Sequence, residues 1–368
     1  MTDHQPLTAL GLMSGTSLDG IDAAVIVSDG EQLIETGPAT SVSYDVDFRE
    51  RLRGCLGKTA NDSGVAEVSR ELTLIHARLV RRLLVENSLK PGDIDLIGFH
   101  GHTILHRPQD RLTVQIGDPA LLARETGINV VGDFRSNDVA HGGEGAPFAP
   151  LYHLSMSKNQ DRPLAVLNLG GVGNVTWIGQ DGSRNDPNIL AFDTGPGNAL
   201  IDDWVRDTIG RTMDEGGKLA RSGAVDEARL MKLLDNPYFD LKPPKSLDRD
   251  DFVNARGIIE GLSPADGAAT LTAFSVQTVF KALKHLPQQP ECWFVTGGGR
   301  HNATLMELLG TELGVPVKPV ETMGQDGDML EARAFAFLAI RSLYGLSLSL
   351  PNTTRAPRPL SGGALFKT

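Results

Sequence analysis

The sequence has little that marks a secreted, membrane-bound or nucleic-acid-binding protein. Its 368 residues include only two cysteines, Cys55 and Cys292, which lie far apart and lack the close spacing of metal ligands. Runs of Lys and Arg are absent and the net charge is −11, which argues against general nucleic-acid binding. No apolar stretch reaches the roughly 18–20 residues of a membrane span. We therefore expect no nucleic-acid or membrane partner, and two buried, inert thiols.

The beginning of the chain also lacks the pattern of a secretory leader. It has no basic first region, and its first apolar stretch is interrupted by Asp19 and Asp22. With 40% hydrophobic and 22% charged residues, the composition is typical of an ordinary globular protein. Because a chain of this length exceeds the usual single hydrophobic core, we expect two domains, and we expect them in the cytoplasm.

One feature that the sequence does contain is a turn of glycine, hydroxyl and carboxylate residues between two apolar strands near the start. Glycines in such a turn let the backbone approach a ligand closely, and backbone N–H and hydroxyl groups can point together at an anion. The turn predicts a phosphate-binding hairpin, with a plain hairpin turn as the alternative. The predicted phosphate-binding residues are Gly15, Thr16, Ser17, Leu18, Asp19, Gly20, Ile21 and Asp22.

The two carboxylates in this turn, Asp19 and Asp22, would repel a phosphate unless a cation lay between them. Mg²⁺ prefers carboxylate and phosphate oxygens together. We therefore expect Asp19 and Asp22 to act through a magnesium ion.

The hydrophobic pattern predicts an α/β protein whose second half restarts the order of the first. A strand, a glycine turn and a return strand open each half, at Leu10 and again at Ala165. A glycine-rich loop from Arg135 to Pro150 predicts the crossing between two domains. We expect an N-terminal domain over 1–135, joined by the tail 345–368, and a C-terminal domain over 136–344.

Four glycine-rich turns each follow an apolar strand, which predicts repeated close contact between backbone and a bulky polar ligand. Two such turns facing each other across a cleft could hold a triphosphate, as in the actin-like and sugar-kinase-like ATPases. A further glycine turn, Gly297–Gly299, would then lie beside adenine and ribose. The turns are Ser14–Gly20, Gly170–Asn174, Asp193–Asn198 and Gly297–Gly299.

Asp193 ends a predicted strand and enters a Gly-Pro-Gly turn at the start of a helix. Its carboxylate could project toward a ligand and act as a general base, or it could cap the following helix. Glu331, at the start of an apolar helix predicted over 328–344, could bind a sugar hydroxyl or only favour the helix dipole.

Several histidines and cations remain with open roles. His100, His102 and His106 lie on extended chain, which favours substrate contacts or structural roles over a metal site. Arg135, Lys218 and Lys245 are the cations nearest to glycine- or proline-rich loops.

Taken together, these motifs make the chain similar, over essentially its full length, to the anhydro-N-acetylmuramic acid kinases of the actin-like sugar kinase superfamily. The motifs that carry the resemblance are Gly11–Asp22, Gly132–Arg135, Gly142–Pro147, Asn168–Gly171 with Asn174, Phe192–Asn198, Pro243–Ser246, Gly297–Gly299 with Asn302, and Glu331–Ala332 with Phe335–Ala336. Two positions depart from the family pattern. His102 lies where Gln is common, and Arg355 lies where Gly is common.

The resemblance implies a duplicated actin-like (ribonuclease H-like) fold with a nucleotide cleft between two domains. It implies a homodimeric kinase that uses ATP and Mg²⁺ in peptidoglycan recycling. Such an enzyme adds water to C1 of 1,6-anhydro-N-acetylmuramic acid and phosphorylates O6, giving N-acetylmuramic acid 6-phosphate. The implied site residues are Asp193 as the base that activates water, Gly15–Asp22 with Gly170, Gly171, Asn174, Gly297, Gly298, Gly299 and Asn302 for the nucleotide, and His100, Arg135 and Glu331 for the sugar.

Two other functions are compatible with the same residues. One is a kinase of the same fold acting on another anhydrosugar, such as levoglucosan, or on a hexose. The other is a binding protein that uses ATP as a switch, which the lack of a DNA-binding segment or a long partner-binding tail disfavours.

Overall fold

The computed structural model describes residues 4–15, 17–180, 182–183, 187–247, 249–252 and 254–368. These residues form two compact units. The first unit combines Met1–Lys158 with Met329–Thr368, and the second is Asn159–Asp328. The division differs from the predicted boundaries at 135 and 345. The helices Pro150–Met156 and Leu330–Leu343, predicted in the C-terminal domain, pack with the first unit.

The strands, in chain order, are β1 (Leu7–Ser14), β2 (Gly20–Ser28), β3 (Leu33–Ser43), β4 (Leu96–Arg107), β5 (Leu112–Ile116), β6 (Val130–Gly132), β7 (Leu164–Leu169), β8 (Val172–Ile178), β9 (Ile189–Pro196), β10 (Cys292–Thr296), β11 (Val317–Pro319) and β12 (Ala364–Phe366). The α-helices are α1 (Val46–Arg53), α2 (Val65–Glu86), α3 (Pro119–Thr126), α4 (Ser136–Ala140), α5 (Pro150–Met156), α6 (Ala199–Ile209), α7 (Lys218–Ser222), α8 (Glu227–Leu234), α9 (Ala255–Ile259), α10 (Pro264–Ala282), α11 (Ala303–Leu313), α12 (Leu330–Leu343) and α13 (Pro351–Thr354).

Short 3₁₀ turns complete the described structure: Pro91–Asp93, Pro108–Asp110, Glu215–Gly217, Pro237–Asp240, Arg249–Phe252, Leu283–His285, Gly298–His301 and Val320–Met323.

The two units repeat one sheet topology. In the first, the strand order β6-β4-β1-β2-β3 combines an antiparallel β1-β2-β3 meander with parallel β4 and β6. In the second, the order β11-β10-β7-β8-β9 combines an antiparallel β7-β8-β9 meander with parallel β10 and β11. Both sheets are mixed and flanked by helices, so the prediction of a duplicated α/β fold is confirmed.

The sheet of the first unit is covered on both faces. Along β1, Leu10 and Leu12 belong to the apolar core that includes the buried face of α2. Gly11 lies on the opposite face, because successive strand residues alternate. A Cβ atom on Gly11 would lie 1.7 Å from the Ala332 carbonyl oxygen of α12. Helix α12 therefore rests directly on the backbone of β1.

The same close approach occurs at β4, where a Cβ on Gly98 would lie 2.1 Å from the Phe335 carbonyl oxygen. Residues from Ala332 to Arg341 of α12 are buried, which confirms the prediction from its apolar composition. Because this packing belongs to the first sheet, α12 groups with the first unit.

Helix α5 and the residues just after it join the first unit through polar contacts near the start of β3. The Ser155 hydroxyl accepts a hydrogen bond of 2.6 Å from the Leu33 N–H, and Lys158 donates one of 2.5 Å to Gln32 Oε1. The tail packs back on this unit as predicted, and β12 adds an edge strand beside β6.

Several elements differ from their predicted bounds. The hydrophobic pattern predicts strands over 96–99 and 189–192, but the first continues as β4 to Arg107 and the second as β9 to Pro196. The strand predicted over 128–134 is only β6, since Asp133 adopts a φ of 55°. Of the helix predicted over 249–261, the described residues form a 3₁₀ turn at Arg249–Phe252 and the short α9.

Both cysteines are free. Cys55 is buried as predicted, whereas Cys292 is only half-buried; burial raises the pKa of both thiols, which lowers their reactivity. No helix in the described part of the chain combines the length and apolar character needed to cross a bilayer.

We expect Gly98→Ala to lower the free energy of unfolding by about 2–3 kcal/mol, because the new methyl group collides with the α12 backbone. Chemical denaturation measures the effect. Gly92→Ala is the matched control, since no atom lies within 4 Å of the added Cβ. Equal unfolding midpoints for the two variants would contradict direct packing of α12 on β4.

Candidate functional site

The turn between β1 and β2 is short and internally hydrogen-bonded. The Leu18 N–H donates to the Gly15 carbonyl at 3.2 Å, and the Ser17 hydroxyl donates to Asp19 Oδ1 at 2.8 Å. A Cβ on Gly20 would lie 2.2 Å from the Val42 carbonyl oxygen, so sheet packing alone requires this glycine. Thr16, predicted to bind phosphate, lies outside the described residues.

The two carboxylates predicted to act through Mg²⁺ lie at different depths. Asp19 is exposed in the turn, whereas Asp22 is half-buried within β2, opposite Met13 and Ser41. Among the described residues no three His, Cys, Asp or Glu side chains come together as a metal site. Two carboxylates suit a Mg²⁺ ion that takes its other ligands from phosphate and water, so the donor set fits that ion.

A buried polar chain lies immediately before this turn. The Ser14 hydroxyl contacts the Tyr44 hydroxyl at 2.5 Å and His102 Nδ1 at 2.8 Å. Burial lowers the pKa of His102 to about 4 and raises the pKa of Tyr44, so both side chains are neutral at pH 7. The chain therefore ties the end of β1 to β4 and to the residue after β3 without placing a charge beside the turn.

A β-bulge brings His102 to this position. Leu12 pairs with Phe99, but Ser14 pairs with His102, so β4 contains an extra residue between the two pairs. Gly101 has a φ of 72°, which glycine adopts at little cost. The bulge directs His100 to one face of the sheet and His102 to the other.

On the face that carries α12, the structure brings together the sugar-binding residues predicted from sequence. Arg135 Nε donates to His100 Nε2 at 3.0 Å, and an Arg135 Nη donates to the Gly145 carbonyl at 2.5 Å. The His100 ring packs on Phe335 with ring centroids 4.5 Å apart, one helical turn after Glu331. The His100–Arg135 pair therefore lies beside the second turn of α12, at Phe335.

The electrostatics of this cluster fix its protonation states. Burial, and next the Arg135 charge, hold the pKa of His100 well below its usual range. Since Nε2 accepts from Arg135, Nδ1 carries the proton and donates to the Gly101 carbonyl at 3.0 Å. Burial lowers the pKa of Arg135 to about 10, which leaves the guanidinium charged at pH 7.

Glu331 adds a carboxyl with altered acidity. The side chain is accessible to solvent, yet the protein atoms around it remove enough hydration to raise its pKa. Asp19 raises the pKa further, while Arg135 opposes the shift. The carboxyl lies in the first turn of α12, where the helix dipole favours negative charge.

Aromatic rings pack on Arg135, and a buried carboxylate holds the loop that accepts its hydrogen bond. Its guanidinium lies over the rings of Phe148, at 5.5 Å, and Phe335, at 5.9 Å. Asp138 accepts hydrogen bonds of 2.7 Å from the Gly145 N–H and from the Thr354 hydroxyl. The loop that receives the Arg135 hydrogen bond is thus fastened to the C-terminal tail.

The departure at Arg355 has a structural explanation. Arg355 has a φ of 59°, a left-handed conformation that glycine adopts readily, which explains why Gly is common there. Its guanidinium lies 3.2 Å from Glu144 Oε1, within the loop that carries Gly145. The ion pair is partly exposed and adds only a modest attraction.

In the second unit, three predicted glycine turns pack against one another. The Asn198 N–H donates to the Gly170 carbonyl at 2.7 Å, and the Gly197 N–H donates to the Gly171 carbonyl at 2.9 Å. A Cβ on Gly297 would lie 2.3 Å from Asn168 Oδ1, and one on Gly299 would lie 2.5 Å from Leu169 Cβ. The turns Gly170–Asn174, Asp193–Asn198 and Gly297–Gly299 are therefore neighbours.

Not every predicted nucleotide residue has an open side chain. Asn302 caps α11, with its Oδ1 accepting from the Leu305 N–H at 3.0 Å. Asn174 lies directly opposite Asp193 in the β8–β9 ladder. Gly298 has more space than its neighbours, since the nearest atom to an added Cβ is Asn198 Nδ2 at 3.6 Å.

Asp193 lies within β9 and does not cap the following helix, which begins at Ala199. Gly173 pairs with Gly195 but Asn174 pairs with Asp193, so Thr194 is the extra residue of a second bulge. Asp193 is half-buried, and its Oδ2 accepts a hydrogen bond of 2.8 Å from the Leu247 N–H. A carboxylate held in this way can accept a proton from a neighbouring water or hydroxyl group.

The hydrogen-bonded Ser14–Tyr44–His102 group and the aromatic rings around Arg135 have no clear signal in the sequence. Ser14 contacts Tyr44, 30 positions further along the sequence, and His102, 88 positions further, and no local pattern indicates such pairs. The phenylalanines carried a partial signal, since Phe335 occurs in the Glu331 motif, but only the fold shows that they meet Arg135.

Two α/β units of identical strand order, each opening with a glycine turn after its first strand, define the plan of the actin-like sugar kinase superfamily. The comparison with family models agrees, since the model "AnmK: Anhydro-N-acetylmuramic acid kinase" matches residues 7–368. The chain belongs to the anhydro-N-acetylmuramic acid kinase family.

Relatives that cover nearly the whole chain carry the same name. An anhydro-N-acetylmuramic acid kinase from Rhodospirillum rubrum is 55% identical over 97% of this chain and 94% of its own length. One from Paramagnetospirillum magneticum is 52% identical over 97% of this chain and 99% of its own. Among solved structures, the Acidaminococcus fermentans (R)-2-hydroxyglutaryl-CoA dehydratase component A covers 92% of this chain and 99% of its own, with a TM-score of 0.45 and 12% identity.

We expect His102→Gln to reduce the loss of stability on acidification. The pKa of His102 is about 4 when folded and near 6.5 when unfolded, so the unfolded state binds more protons as the pH falls below 6.5. The contribution of neutral His102 to the free energy of unfolding is therefore fully present above pH 6.5 and decreases as the pH falls toward 4. His102 alone accounts for a loss of on the order of 2 kcal/mol at pH 5.

Urea unfolding at pH 7 and pH 5 measures this difference. His141→Gln replaces an exposed histidine and is the control, with the same decrease as the unmodified protein. An equal decrease for His102→Gln would show that His102 does not become charged on unfolding.

Proposed function

We propose that this protein is an ATP-dependent kinase that opens 1,6-anhydro-N-acetylmuramic acid with water and phosphorylates O6. The products are N-acetylmuramic acid 6-phosphate and ADP. The observation that carries the proposal is the family match over residues 7–368. Relatives of the same name at 55% and 52% identity support it.

The chemistry requires a base. In the anhydrosugar O6 is bonded to C1, so no free hydroxyl is present to receive phosphate. As water adds to C1, its oxygen forms the new C1–O bond, the C1–O6 bond breaks, and O6 takes the γ-phosphoryl group. A base accepts the proton that water loses, and we assign this role to Asp193. Its half-buried carboxylate, fixed by the Leu247 N–H, supports the assignment.

We assign the sugar contacts to His100, Arg135 and Glu331. Arg135 is charged at pH 7 and can bind an anionic or carbonyl group of the substrate. The solvent-accessible carboxyl of Glu331 can accept a hydrogen bond from a sugar hydroxyl. His100 orients the Arg135 guanidinium through the hydrogen bond between their side chains.

We assign the nucleotide phosphates to the turn from Gly15 to Asp22 and to Gly170, Gly171 and Asn174. We place adenosine beside Gly297, Gly298 and Gly299, with Asn302 supporting that turn as a helix cap. Asp19 and Asp22 would hold Mg²⁺. That ion, when bound, neutralises phosphate charge during transfer. The Gly15–Asp22 backbone positions the phosphates, since phosphoryl transfer depends mainly on positioning and charge.

We further infer that the enzyme acts in peptidoglycan recycling in the cytoplasm and is a homodimer. The support is the family resemblance, because the anhydrosugar is a fragment of cell-wall polymer. Light scattering of the purified protein tests the dimer, and a monomeric mass would contradict it.

We expect Asp193→Asn to lower kcat for sugar phosphorylation by about 10²–10⁴-fold, the usual contribution of one general base. ATP affinity should stay within about threefold, since the amide removes a proton acceptor and not a phosphate contact. Coupled ADP release measures kcat, and calorimetry measures ATP binding. Asp235→Asn, an exposed carboxylate after α8, is the control. Unchanged turnover of Asp193→Asn would exclude Asp193 as the base.

We expect phosphorylation in ¹⁸O-labelled water to place the label on C1 of the phosphosugar, because ring opening uses solvent. Levoglucosan and glucose are compared as acceptors under the same conditions. A faster reaction with either would assign a different sugar to this fold. ATP hydrolysis that no sugar accelerates would instead indicate a nucleotide-switched binding protein.

A further inference from the structure

Lys245 is a buried cation without an assigned task. Its side chain is 5% exposed, and its ammonium donates to the carbonyls of Tyr238, at 2.9 Å, and Phe239, at 3.3 Å. It also lies 4.3 Å from the centre of the Tyr238 ring. Burying an ammonium is costly, so this arrangement needs a compensating benefit to the protein.

The segment that Lys245 closes also surrounds Asp193. The Tyr238 hydroxyl donates to the Asp193 carbonyl at 2.6 Å, and the Asp193 N–H donates to the Lys245 carbonyl at 2.9 Å. The Leu247 N–H donates to Asp193 Oδ2 at 2.8 Å. Residues 238–247, which we call the Asp193 clamp, therefore hold both the backbone and the carboxylate of Asp193.

The ammonium fastens the clamp at one point. By donating to the two consecutive carbonyls of Tyr238 and Phe239, Lys245 folds the segment back on itself and sets the distance between Tyr238 and Leu247. These two residues are the ones that contact Asp193 through a hydroxyl and an amide. Without the ammonium, the Tyr238 carbonyl keeps the Leu241 N–H and the Phe239 carbonyl keeps His285 Nε2 as partners, but the segment loses the charged donor that joins Lys245 to both carbonyls.

The charges around Lys245 are mixed. Burial, and next Lys284, lower the pKa of Lys245 to about 8, while Asp240 and Asp193 favour its charged form. His285 also faces this group, and burial lowers its pKa. At neutral pH Lys245 is therefore predominantly charged, and its charge acts on Asp193.

We propose that Lys245 is a positioning residue for the reaction, which orients the Asp193 carboxylate through the Asp193 clamp and favours its ionised form. The inference rests on the proposed function, which makes Asp193 the base. It adds to that function a role for the Lys245 ammonium in positioning Asp193.

Lys245→Met removes the charge and keeps the length of the side chain. We expect kcat to fall by about 10- to 100-fold, since a misplaced base loses much of its effect. KM for ATP and for the anhydrosugar should stay within about threefold. The acid limb of the pH–kcat/KM profile should move up by roughly 0.5–1 pH unit, because an uncompensated carboxylate holds its proton more tightly. Lys242→Met, an exposed lysine of the same segment, is the control with no change.

A second variant covers the case in which Lys245→Met does not fold. Tyr238→Phe deletes only the hydroxyl that contacts the Asp193 carbonyl, and we expect a kcat about 3- to 10-fold lower with KM unchanged. A folded Lys245→Met variant with kcat and acid limb like those of the unmodified enzyme would overturn the inference. If only Tyr238→Phe folds, unchanged kcat for that variant overturns it as well.

The carboxyl titration of Asp193, followed by ¹³C NMR and assigned with Asp193→Asn, gives a readout independent of turnover. The pKa of Asp193 should be higher in Lys245→Met than in the unmodified protein. An unchanged pKa would contradict the claim that Lys245 favours the ionised form of Asp193. An unmodified enzyme that phosphorylates no anhydrosugar would refute the proposed function. An active enzyme insensitive to Lys245→Met would refute only the positioning role.

Discussion

The first unit depends on the direct contact between the backbone of α12 and the backbones of β1 and β4. Gly11 and Gly98 leave no room for any side chain between strand and helix. This contact fixes the height of α12 above the sheet. It therefore fixes the position of Phe335, which packs on the His100–Arg135 pair, and of Glu331 one helical turn before it. If α12 were displaced by a few tenths of an ångström at Gly11 and Gly98, the rigid helix would displace Glu331 and Phe335 as well.

Bulges perform a related task in both sheets. In β4 the extra residue at Gly101 sends His100 and His102 to opposite faces, so that neighbouring histidines serve different clusters. In β9 the extra residue Thr194 changes the alternation just after Asp193. In a regular strand, residues two apart lie on the same face of the sheet. Each bulge removes that restriction, beside His100 in β4 and beside Asp193 in β9.

The duplicated fold and the positions of the glycine turns could be predicted from the sequence, because periodicity and turn residues are local signals. The packing of the three turns of the second unit against one another could not, because it joins distant segments. The hydrophobic pattern predicts a helix over 65–87 and a strand over 292–296, and the structure has α2 and β10 at nearly the same bounds. The ends of β4 and β9 could not be predicted in this way, since bulges let a strand continue past a glycine that normally ends it. The grouping of α12 and the partners of Ser14 and Lys245 depend on contacts between distant segments, which no local pattern specifies.

The first unit is discontinuous, and this has a consequence for how the protein is made. Strands β1 to β6 leave the ribosome first, but α12, which covers one face of their sheet, and β12, which extends its edge, belong to the final segment 329–368. The second unit, 159–328, is continuous and is synthesised in between. During synthesis the second unit can therefore finish folding before the first. Until α12 has been synthesised, the face of the first sheet that contains Gly11 and Gly98 stays uncovered.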